Sequence, residues 1–518
     1  MKKPIYICSL LVLMMLGSCK DFLDREPSDS YGNSTLWTSA SDVEAALNSI
    51  YNGWRDGMSI IYFDAASDNA YNQFPWEGYT ALGNMQLLTP TNTGAGKWGF
   101  STIQRANWFL ENVNKAAMDT TLKLRMIGEA RFLRAYEYFL RGQLYGDFPL
   151  VTKTISPTEA NQVMRTPKDS VMNFVVNELG EIAPDLPLSY SGDNKGRITK
   201  GAALALKARV ELFRGNYLEA AKDAKSVMDL GVYELFPDYG ELFRIQNEHN
   251  SSVILNYEYE PTNQAFAGIQ RFPSSSYGGW ASIVPLQSLV EAYEMESGKA
   301  INASNSGYDP AHPYKNRDPR LEATIVYPGK KYSGKYYDPI SSGSSDYYAG
   351  NNNSKSGYLV KKFAPKLDDF NSDISNTGLN IIVLRYAEVL LTYAEAKIEL
   401  NEIDQSVYEA INKVRDRAGM PPLDQSKYSG QQEMREAVRH ERRVELAMEG
   451  LRWFDIQRWE IGDTVMNGQT YGARLGTVDS ETGKVTWSDE RIEVENRVFD
   501  PSKNYLWPVP QSERDIND

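Results

Sequence analysis

Cysteine is nearly absent from this sequence, which has two cysteines, Cys8 and Cys19, among 518 residues. Both lie at the start, so the rest of the chain has no disulfide framework. A chain of about 500 residues does not need one, because it buries enough apolar surface to hold a core. Histidine is almost as scarce, and His249, His312 and His440 stand at no metal or catalytic spacing. These absences disfavour a disulfide scaffold and a zinc hydrolase.

Long apolar runs are also missing, since no stretch approaches the ~18 apolar residues that a membrane-spanning helix requires. The apolar segment Ile5 to Gly17 is too short to span; it follows Lys2 and Lys3 and leads into Ser18-Cys19. This layout is typical of a secretory signal, and small residues directly before a cysteine resemble a lipobox. We therefore predict a signal peptide at residues 1–18 and lipidation of Cys19. Ordinary signal cleavage nearby, leaving a soluble protein, is the alternative.

Positive charge is in deficit, with 55 Lys and Arg against 68 Asp and Glu and a net charge of −13. Loss of Lys2 and Lys3 with the signal peptide leaves 53 against 68, or −15, for the mature chain. Binding to nucleic acid needs a basic face, which this balance disfavours. Nucleic acid is therefore not an expected partner.

Motifs of known chemistry are absent or incomplete. His440-Glu441 lacks the second histidine of a zinc-protease helix, because Val444 stands there. The glycine pattern Gly94 to Gly99 fits a dinucleotide fingerprint, but no buried strand precedes it. A carboxylate pair for glycoside hydrolysis stays open, because 68 acids ensure that some pair lies close.

A weak calcium-loop pattern is the one candidate cofactor site. Asp369, Asn371 and Asp373 match the first three ligands, but Ile374 occupies the glycine position. We expect no other cofactor.

Helical periodicity dominates the middle of the chain. The predicted helices are Ile103 to Ala117, Leu122 to Tyr145, Pro167 to Ala183, Lys200 to Arg214 and Tyr217 to Leu230. Within residues 204–224, alanines at close-approach positions flank a turn at Gly215, which matches a tetratricopeptide helix pair. Related pairs are predicted at Ala130 to Leu144 with its partner, and at Val383 to Leu400 with Gln405 to Arg417. The fold class is therefore mostly α, a solenoid of tetratricopeptide-like helix pairs.

Irregular segments interrupt this scaffold. Residues 19–37 read as a tether, and a helix capped by Ser41-Asp42 follows. The helical scaffold covers about 101–252 and 381–460, including a helix over Gln431 to Glu460. Loop-rich, partly β segments cover about 64–99 and 253–380, with strands near Val253 and Thr324 and one helix at Pro285 to Met295. An irregular, partly extended segment covers 467–518, and residues 38–518 are expected to form one domain.

Seven segments, in order along nearly the whole chain, resemble the SusD/RagB family of outer-membrane nutrient-binding lipoproteins. The first is the lipobox cysteine followed by Lys20-Asp21, similar to the signal that sends such lipoproteins to the outer face. The others are Trp98 to Val113, Glu129 to Pro149, Leu384 to Ala396, Ile411 to Pro421, Arg439 to Trp459 and Tyr505 to Asn517.

The resemblance implies helix pairs that pack against a SusC-like TonB-dependent transporter, with the ligand site on irregular segments over the barrel mouth. It also implies a lipid anchor in the outer membrane, facing the cell exterior, and capture of a nutrient, here expected to be a glycan, without chemistry. There are three alternatives to glycan capture. The first is peptide capture, as in RagB-like relatives. The others are a glycoside hydrolase and a pure interaction scaffold.

Charged residues in the Arg439 to Trp459 segment recur every three or four positions. We predict that they form an ion-pair ladder on a partly buried helix face. The residues are Arg442, Glu445, Glu449, Arg452, Asp455 and Arg458.

Aromatic residues with a polar tip are plentiful, with 32 Tyr and 10 Trp against 18 Phe. Sugars present C–H patches rimmed by hydroxyls, so a glycan site needs exposed rings beside polar side chains. Two irregular stretches supply this mixture. The predicted ligand-binding residues are Asp68, Asn69, Asn72, Trp76 and Tyr79 in the first, and Tyr277, Trp280, Tyr336 and Tyr337 in the second.

Overall fold

The computed structural model describes residues 36–370 and 373–517. The predicted signal peptide, Cys19, and residues 19–35 of the tether lie outside the described residues. The tether is shorter than predicted, because Leu36 and Trp37 are buried. Trp37 packs against Trp108, with ring centroids 5.0 Å apart. Within the described ranges, none of the helices is both long enough and apolar enough to cross a bilayer.

Helices form most of the regular structure. They are α1 (Ala40–Trp54), α2 (Gly57–Tyr62), α3 (Tyr79–Gly83), α4 (Ser101–Asn112), α5 (Thr120–Tyr145), α6 (Pro157–Ala160), α7 (Lys168–Ile182), α8 (Lys200–Phe213), α9 (Tyr217–Asp229), α10 (Gln287–Ala292), α11 (Pro319–Thr324), α12 (Tyr386–Glu399), α13 (Gln405–Arg417), α14 (Gln431–Glu445), α15 (Arg452–Arg458), α16 (Gly462–Val465) and α17 (Gln511–Asn517).

The longer helices pack as successive antiparallel pairs, as the sequence predicts. Helices α5 and α7, α8 and α9, and α12 and α13 are neighbours, and α9 also packs on α12. The α8–α9 turn passes through Gly215, whose φ of 75° favours glycine. Buried alanines, among them Ala205, Ala208 and Ala220, allow the close approach of the two helices. The predicted fold class, mostly α with tetratricopeptide-like pairs, is confirmed.

Several predicted helix boundaries are wrong. Helix α1 is capped by Ser39, which accepts a hydrogen bond from the Asp42 backbone N–H at 3.2 Å, instead of by Ser41-Asp42. The predicted helix at Pro285 to Met295 shrinks to α10. The predicted long helix over 431–460 breaks between α14 and α15, where Gly450 has a φ of 74°. A Cβ there would lie 2.2 Å from the Ile60 carbonyl oxygen, so only glycine fits.

Within residues 36–370 and 373–517, ten strands form five two-stranded antiparallel sheets. The strands are β1 (Ala70–Asn72), β2 (Val253–Tyr257), β3 (Ile283–Pro285), β4 (Ile325–Val326), β5 (Lys331–Tyr332), β6 (Lys335–Tyr336), β7 (Leu359–Val360), β8 (Ile381–Arg385), β9 (Gly468–Val478) and β10 (Val485–Arg497). Strand β8 occupies the predicted start of the helix at Val383, because it pairs with β2 and is buried throughout. The tail predicted to be irregular and partly extended contains the longest hairpin described, β9–β10.

In the described part of the chain, two apolar cores hold these elements. The large one collects residues from the helices, from β2 and β8 and from the C-terminal segment. A small core lies beneath the loop-rich insert and contains Ala281, Val284, Val326, Tyr332, Tyr337 and Leu359.

The charged residues of the Arg439 to Trp459 segment form buried ion pairs, but not the predicted ladder along one helix. Glu445 lies within 2.6 Å of Arg385 and 3.0 Å of Arg320, and it also pairs with Arg417. Burial alone would raise the pKa of Glu445, but the three guanidinium charges hold it well below its usual range. Glu445 lies at the end of α14, and its three partners lie on α11, β8 and α13, so these ion pairs join separate elements.

Candidate functional site

Strands β1 and β3 join the two loop-rich segments in which the ligand-binding residues were predicted. Asn72 is paired with Ile283 in their register. Beyond the sheet, the Gln73 backbone N–H donates to the Ser282 carbonyl at 3.0 Å, and its side-chain amide donates to the Trp280 carbonyl at 3.0 Å. The segment around Trp76 is thereby held beside the segment around Trp280.

Trp76 is the most exposed large hydrophobic residue in the part of the chain that the structure describes, at 79%. It lies on a one-turn 3-10 helix, Pro75–Glu77. Gly78 ends that turn with a φ of 85°, and a Cβ there would lie 2.6 Å from the Ala95 backbone nitrogen. One face of the indole stacks on Phe74, with centroids 4.7 Å apart and planes at 25°. The other face is left to solvent.

Glu77 ties the two segments together. Its carboxylate pairs with Arg271, accepts a hydrogen bond from the Ser282 hydroxyl at 3.0 Å and accepts another from Asn72 at 2.6 Å. The Arg271 guanidinium lies 5.9 Å from the centre of the Trp280 ring, within cation–π range. The half-buried ring of Trp280 therefore has a charged neighbour that is itself held by Glu77.

A second group of rings begins with Tyr277, three residues before Trp280 in the sequence. The Lys335 ammonium lies 4.2 Å from the centre of the Tyr277 ring and 3.2 Å from Asp346. Asp346 also accepts hydrogen bonds from Ser274 and Ser276. Burial, and then the charge of Asp346, raises the pKa of Tyr277 well above its usual value.

Tyr347 and Tyr348 lie edge to face, with centroids 4.8 Å apart. Lys355 connects them to the first segment, because its backbone N–H donates to Gln73 and its ammonium donates to the Tyr348 carbonyl. We call the partly exposed rings Trp76, Tyr277, Trp280, Tyr347 and Tyr348 the aromatic surface.

The remaining predicted residues do not present open faces to solvent. Asp68, Asn69, Asn72, Tyr79 and Tyr337 are buried, and Tyr336 is half-buried against the turn of the β9–β10 hairpin. Buried polar side chains form hydrogen bonds with other buried groups. The residue composition of a segment does not show which of its polar side chains are buried in this way.

Asp68 and Asn69 illustrate this. Asp68 accepts hydrogen bonds from Arg452 at 2.7 and 3.0 Å and pairs with Arg443 at 2.8 Å. Burial alone would raise the pKa of Asp68, but the charges of Arg443 and Arg452 lower it to about 2. Asn69 donates to the carboxylate of Asp64 at 2.9 Å.

The buried tyrosines also have structural partners. The Tyr79 hydroxyl lies 2.8 Å from that of Ser59, and Tyr337 belongs to the small core beneath the insert. These side chains position the loops that carry the aromatic surface.

Sequence reasoning missed the polar residues that frame the rings: Glu77, Arg271, Lys335 and Asp346. Glu77 directly follows Trp76 and Lys335 directly precedes Tyr336, so proximity in sequence to a predicted aromatic residue was an available signal for these two. What sequence could not show is the pairing, because Glu77 and Arg271 are 194 positions apart.

The charged groups of this surface are engaged with one another, which limits its chemistry. Glu77 is held by Arg271, and Asp346 by Lys335. A paired-carboxylate hydrolase needs one acid to give a proton and another to attack or activate water. The arrangement favours binding over proton transfer.

The predicted calcium loop has a competing cation. Asp369 accepts two hydrogen bonds from Arg244, each at 2.7 Å, and Asp373 accepts from Ser375 within its own turn. Asn371 lies outside the described residues. Among the residues that are described, no group of three or more His, Cys, Asp or Glu side chains is arranged to hold a metal ion.

Comparisons with known proteins agree with this architecture. Residues 242–518 match the model of the SusD family, and residues 21–212 match a model described as starch-binding, associating with the outer membrane. A SusD-like protein P25 of Formosa agariphila is 26% identical over 485 residues, covering 89% of this chain and 90% of that protein.

A solved structure of a SusD-like carbohydrate-binding protein from Bacteroides fragilis is 32% identical. It matches with a TM-score of 0.84 over 93% of this chain and 99% of that one. A laminarin-binding SusD-like protein, 22% identical, has the same fold, with a TM-score of 0.71 over 93% of this chain and 98% of its own.

Proposed function

The chain belongs to the SusD family, and from this we propose that it captures a glycan on its aromatic surface and delivers it, chemically unchanged, to a SusC-like TonB-dependent transporter. The observation that carries the proposal is the open indole face of Trp76, 79% exposed and backed by Phe74. An unpartnered Trp face of this kind is costly to leave in water and suits the C–H face of a sugar ring.

The surroundings of the rings suit a sugar in a second respect. Arg271, Glu77 and Lys335 offer donors and acceptors beside the ring faces, as a hydroxyl-rimmed ligand requires. The buried Asn353 side chain accepts from Ser275 at 2.8 Å and donates to the Tyr347 carbonyl at 3.0 Å, so the loops that carry Tyr277 and Tyr347 are held in place before binding. Such pre-organisation lowers the entropic cost of association.

The charges favour a neutral glycan. Cations at the surface are already paired, Arg271 with Glu77 and Lys335 with Asp346. A sulfated or uronic sugar would have to displace one of these carboxylates and would also face a chain of net charge −13. We infer that uncharged hexoses or pentoses are the ligand class.

The cellular setting is part of the same proposal. We infer a lipid anchor at Cys19 in the outer membrane, with the domain facing the cell exterior. Its supports are the lipobox-like Gly17-Ser18-Cys19 and the matching family description. Two or three acyl chains on one residue hold a protein on a membrane essentially permanently.

The direct test is a combined glycan and peptide array probed with the mature domain. In this protein Cys19 is replaced by serine, so that the chain carries no lipid. We expect binding to neutral polysaccharides and weaker binding after Trp76→Ala or Trp280→Ala. Binding to peptides alone would contradict a glycan ligand and favour peptide capture, in which backbone hydrogen bonds dominate. Release of reducing sugar by the wild-type protein would contradict the non-catalytic role.

Transporter delivery needs a separate measurement. The acylated protein, purified from membranes in mild detergent, should copurify with a TonB-dependent transporter encoded beside it. Recovery of the intact lipoprotein without any such transporter, under conditions that preserve other outer-membrane complexes, would contradict this part.

A further inference from the structure

A separate polar cleft of about 550 Å³ lies between α10 and the β9–β10 hairpin. Its volume is within the range of about 300–1,000 Å³ found for small-molecule sites. The predicted ligand-binding residues of the second stretch and the aromatic surface contribute nothing to its lining. The walls come from α10 on one side and from the start of β9 and the middle of β10 on the other.

The side chains in the cleft have the chemistry of a sugar site. Tyr471 is 40% exposed and offers a ring with a polar tip. Gln287 and Gln469 add side-chain amides; Gln469 donates to the Thr470 carbonyl at 3.0 Å, and its amide oxygen can still accept a hydrogen bond. The Thr470 hydroxyl is engaged with Glu495 across the hairpin and contributes to the shape of the wall. One amphipathic ring among several hydrogen-bonding groups is the same combination that the aromatic surface shows.

The charges in the cleft are partly neutralised. Arg491 lies 3.3 Å from Glu291, and the Gln287 amide donates to the same carboxylate at 2.8 Å. An anionic sugar would have to displace Glu291 to reach this guanidinium. The cleft is therefore suited to the same neutral ligand class as the aromatic surface.

The floor and one wall are rigid. Asp68 forms part of the lining, and its carboxylate is fixed by Arg452 and Arg443, while the Ser288 hydroxyl donates to its carbonyl. The hairpin is held by Gly472, where a Cβ would lie 2.1 Å from the Ser356 carbonyl oxygen. A rigid cleft loses little entropy when a ligand enters.

The cleft is joined to the aromatic surface by the β1–β3 sheet. Strand β1 leads from Asp68 at the cleft towards Trp76, and β3 leads from Trp280 to Gln287 at the cleft. The Cα atoms of Trp280 and Gln287, seven residues apart, are at most about 25 Å from each other even in a fully extended chain. Along this connection the two surfaces are therefore separated by no more than about 25 Å, a distance that a single extended polymer can cover.

We propose that this cleft is a second saccharide site, which binds another stretch of the same neutral glycan. The inference rests on the proposed function, because it takes its ligand class from the aromatic surface. Two weak sites on one chain raise the affinity for a polymer through effective concentration, without raising that for a short fragment.

The test is isothermal titration calorimetry with a long glycan identified on the array and with its shortest bound fragment. Four proteins are compared: wild type, Trp76→Ala, Tyr471→Ala and Gln469→Trp, the last of which fills the cleft without removing a wall. The control is Leu218→Ala on α9, which truncates another exposed large hydrophobic side chain, 63% exposed. Thermal melting confirms that each variant is folded.

We expect two fragments per wild-type chain, one per chain in each cleft variant and one in Trp76→Ala. The affinity for the long glycan should fall about tenfold or more in both cleft variants and stay unchanged in Leu218→Ala. One fragment per wild-type chain, with both cleft variants unchanged and Trp76→Ala reduced, would overturn the second site and leave the proposed function intact. Failure of the wild type to bind any glycan would overturn both.

Discussion

Replacing Trp76 with alanine should weaken glycan binding far more than it weakens the fold. The indole is 79% exposed, and Phe74 covers only one of its faces. A sugar on the open face would cover roughly 80–100 Å² of a side chain that buries about 150–250 Å² when enclosed. At about 25 cal/mol per Å², the lost contact is worth about 2 kcal/mol, which corresponds to roughly 30-fold weaker binding.

The effect of this substitution on stability should be small. An exposed side chain contributes within about 0.5 kcal/mol, and the stack with Phe74 adds about 0.5–1 kcal/mol. For a chain of this size that corresponds to a fall in Tm of no more than about 3 °C. The same substitution at a buried ring such as Trp453, which is fully enclosed, should cost about 3–5 kcal/mol of stability.

Titration calorimetry with the best glycan from the array measures the loss of glycan affinity, and differential scanning fluorimetry measures the change in Tm. Leu218→Ala, on the helical scaffold, is the matched control and should change neither by a measurable amount. A drop in Tm of 6 °C or more in Trp76→Ala, with unaltered glycan affinity, would refute the assignment of this ring to the binding surface.

Three further outcomes are expected. Glu445→Ala should lower the free energy of unfolding in urea by about 3–5 kcal/mol, because it leaves buried guanidinium groups unpaired; a loss below 1 kcal/mol would contradict this. Burial raises the folded-state pKa of Glu258 to about 7 from a usual 4.5, so its ionisation destabilises the fold as pH rises. Because its side chain is 34% exposed, we expect Glu258→Gln to be more stable than wild type by only about 1–2 kcal/mol at pH 8, and by almost nothing near pH 4.5; a difference independent of pH would be inconsistent with that cause. Cys19→Ser should abolish labelling by palmitate and release the protein from the membrane fraction, whereas continued labelling would place the lipid elsewhere.

Much of the helical scaffold could be predicted from sequence because its signals are local. The alanines of α8 and α9 and the turn at Gly215 lie within 25 residues of one another, and their spacing fixes the pair. Strand β8 was missed for a physical reason: it is apolar on both faces and runs directly into α12, so its periodicity merges with that of the helix. The C-terminal tail was predicted to be partly extended, but its β9–β10 hairpin was not identified, because three register shifts interrupt the alternation of apolar and polar residues.

The segments that carry the candidate site could be predicted from sequence, but the individual residues that face solvent could not. The two loop-rich segments were identified by their composition, and the β1–β3 sheet does bring them together. Which of their residues face water depends on partners far away in sequence. Asp68 is buried because Arg443 and Arg452 approach it from α14 and α15, and nothing near residue 68 signals those arginines. The assignment of individual ligand-binding residues stays a prediction.

The central claim is that this chain holds a glycan without transforming it. The most direct measurement is equilibrium binding of the purified mature domain to a panel of neutral polysaccharides, followed by sizing and reducing-end analysis of the recovered glycan. We expect reversible, saturable binding that Trp76→Ala weakens, with the recovered polymer unchanged in length. A shortened polymer with new reducing ends, or no binding to any glycan by a folded protein that binds peptides, would contradict it.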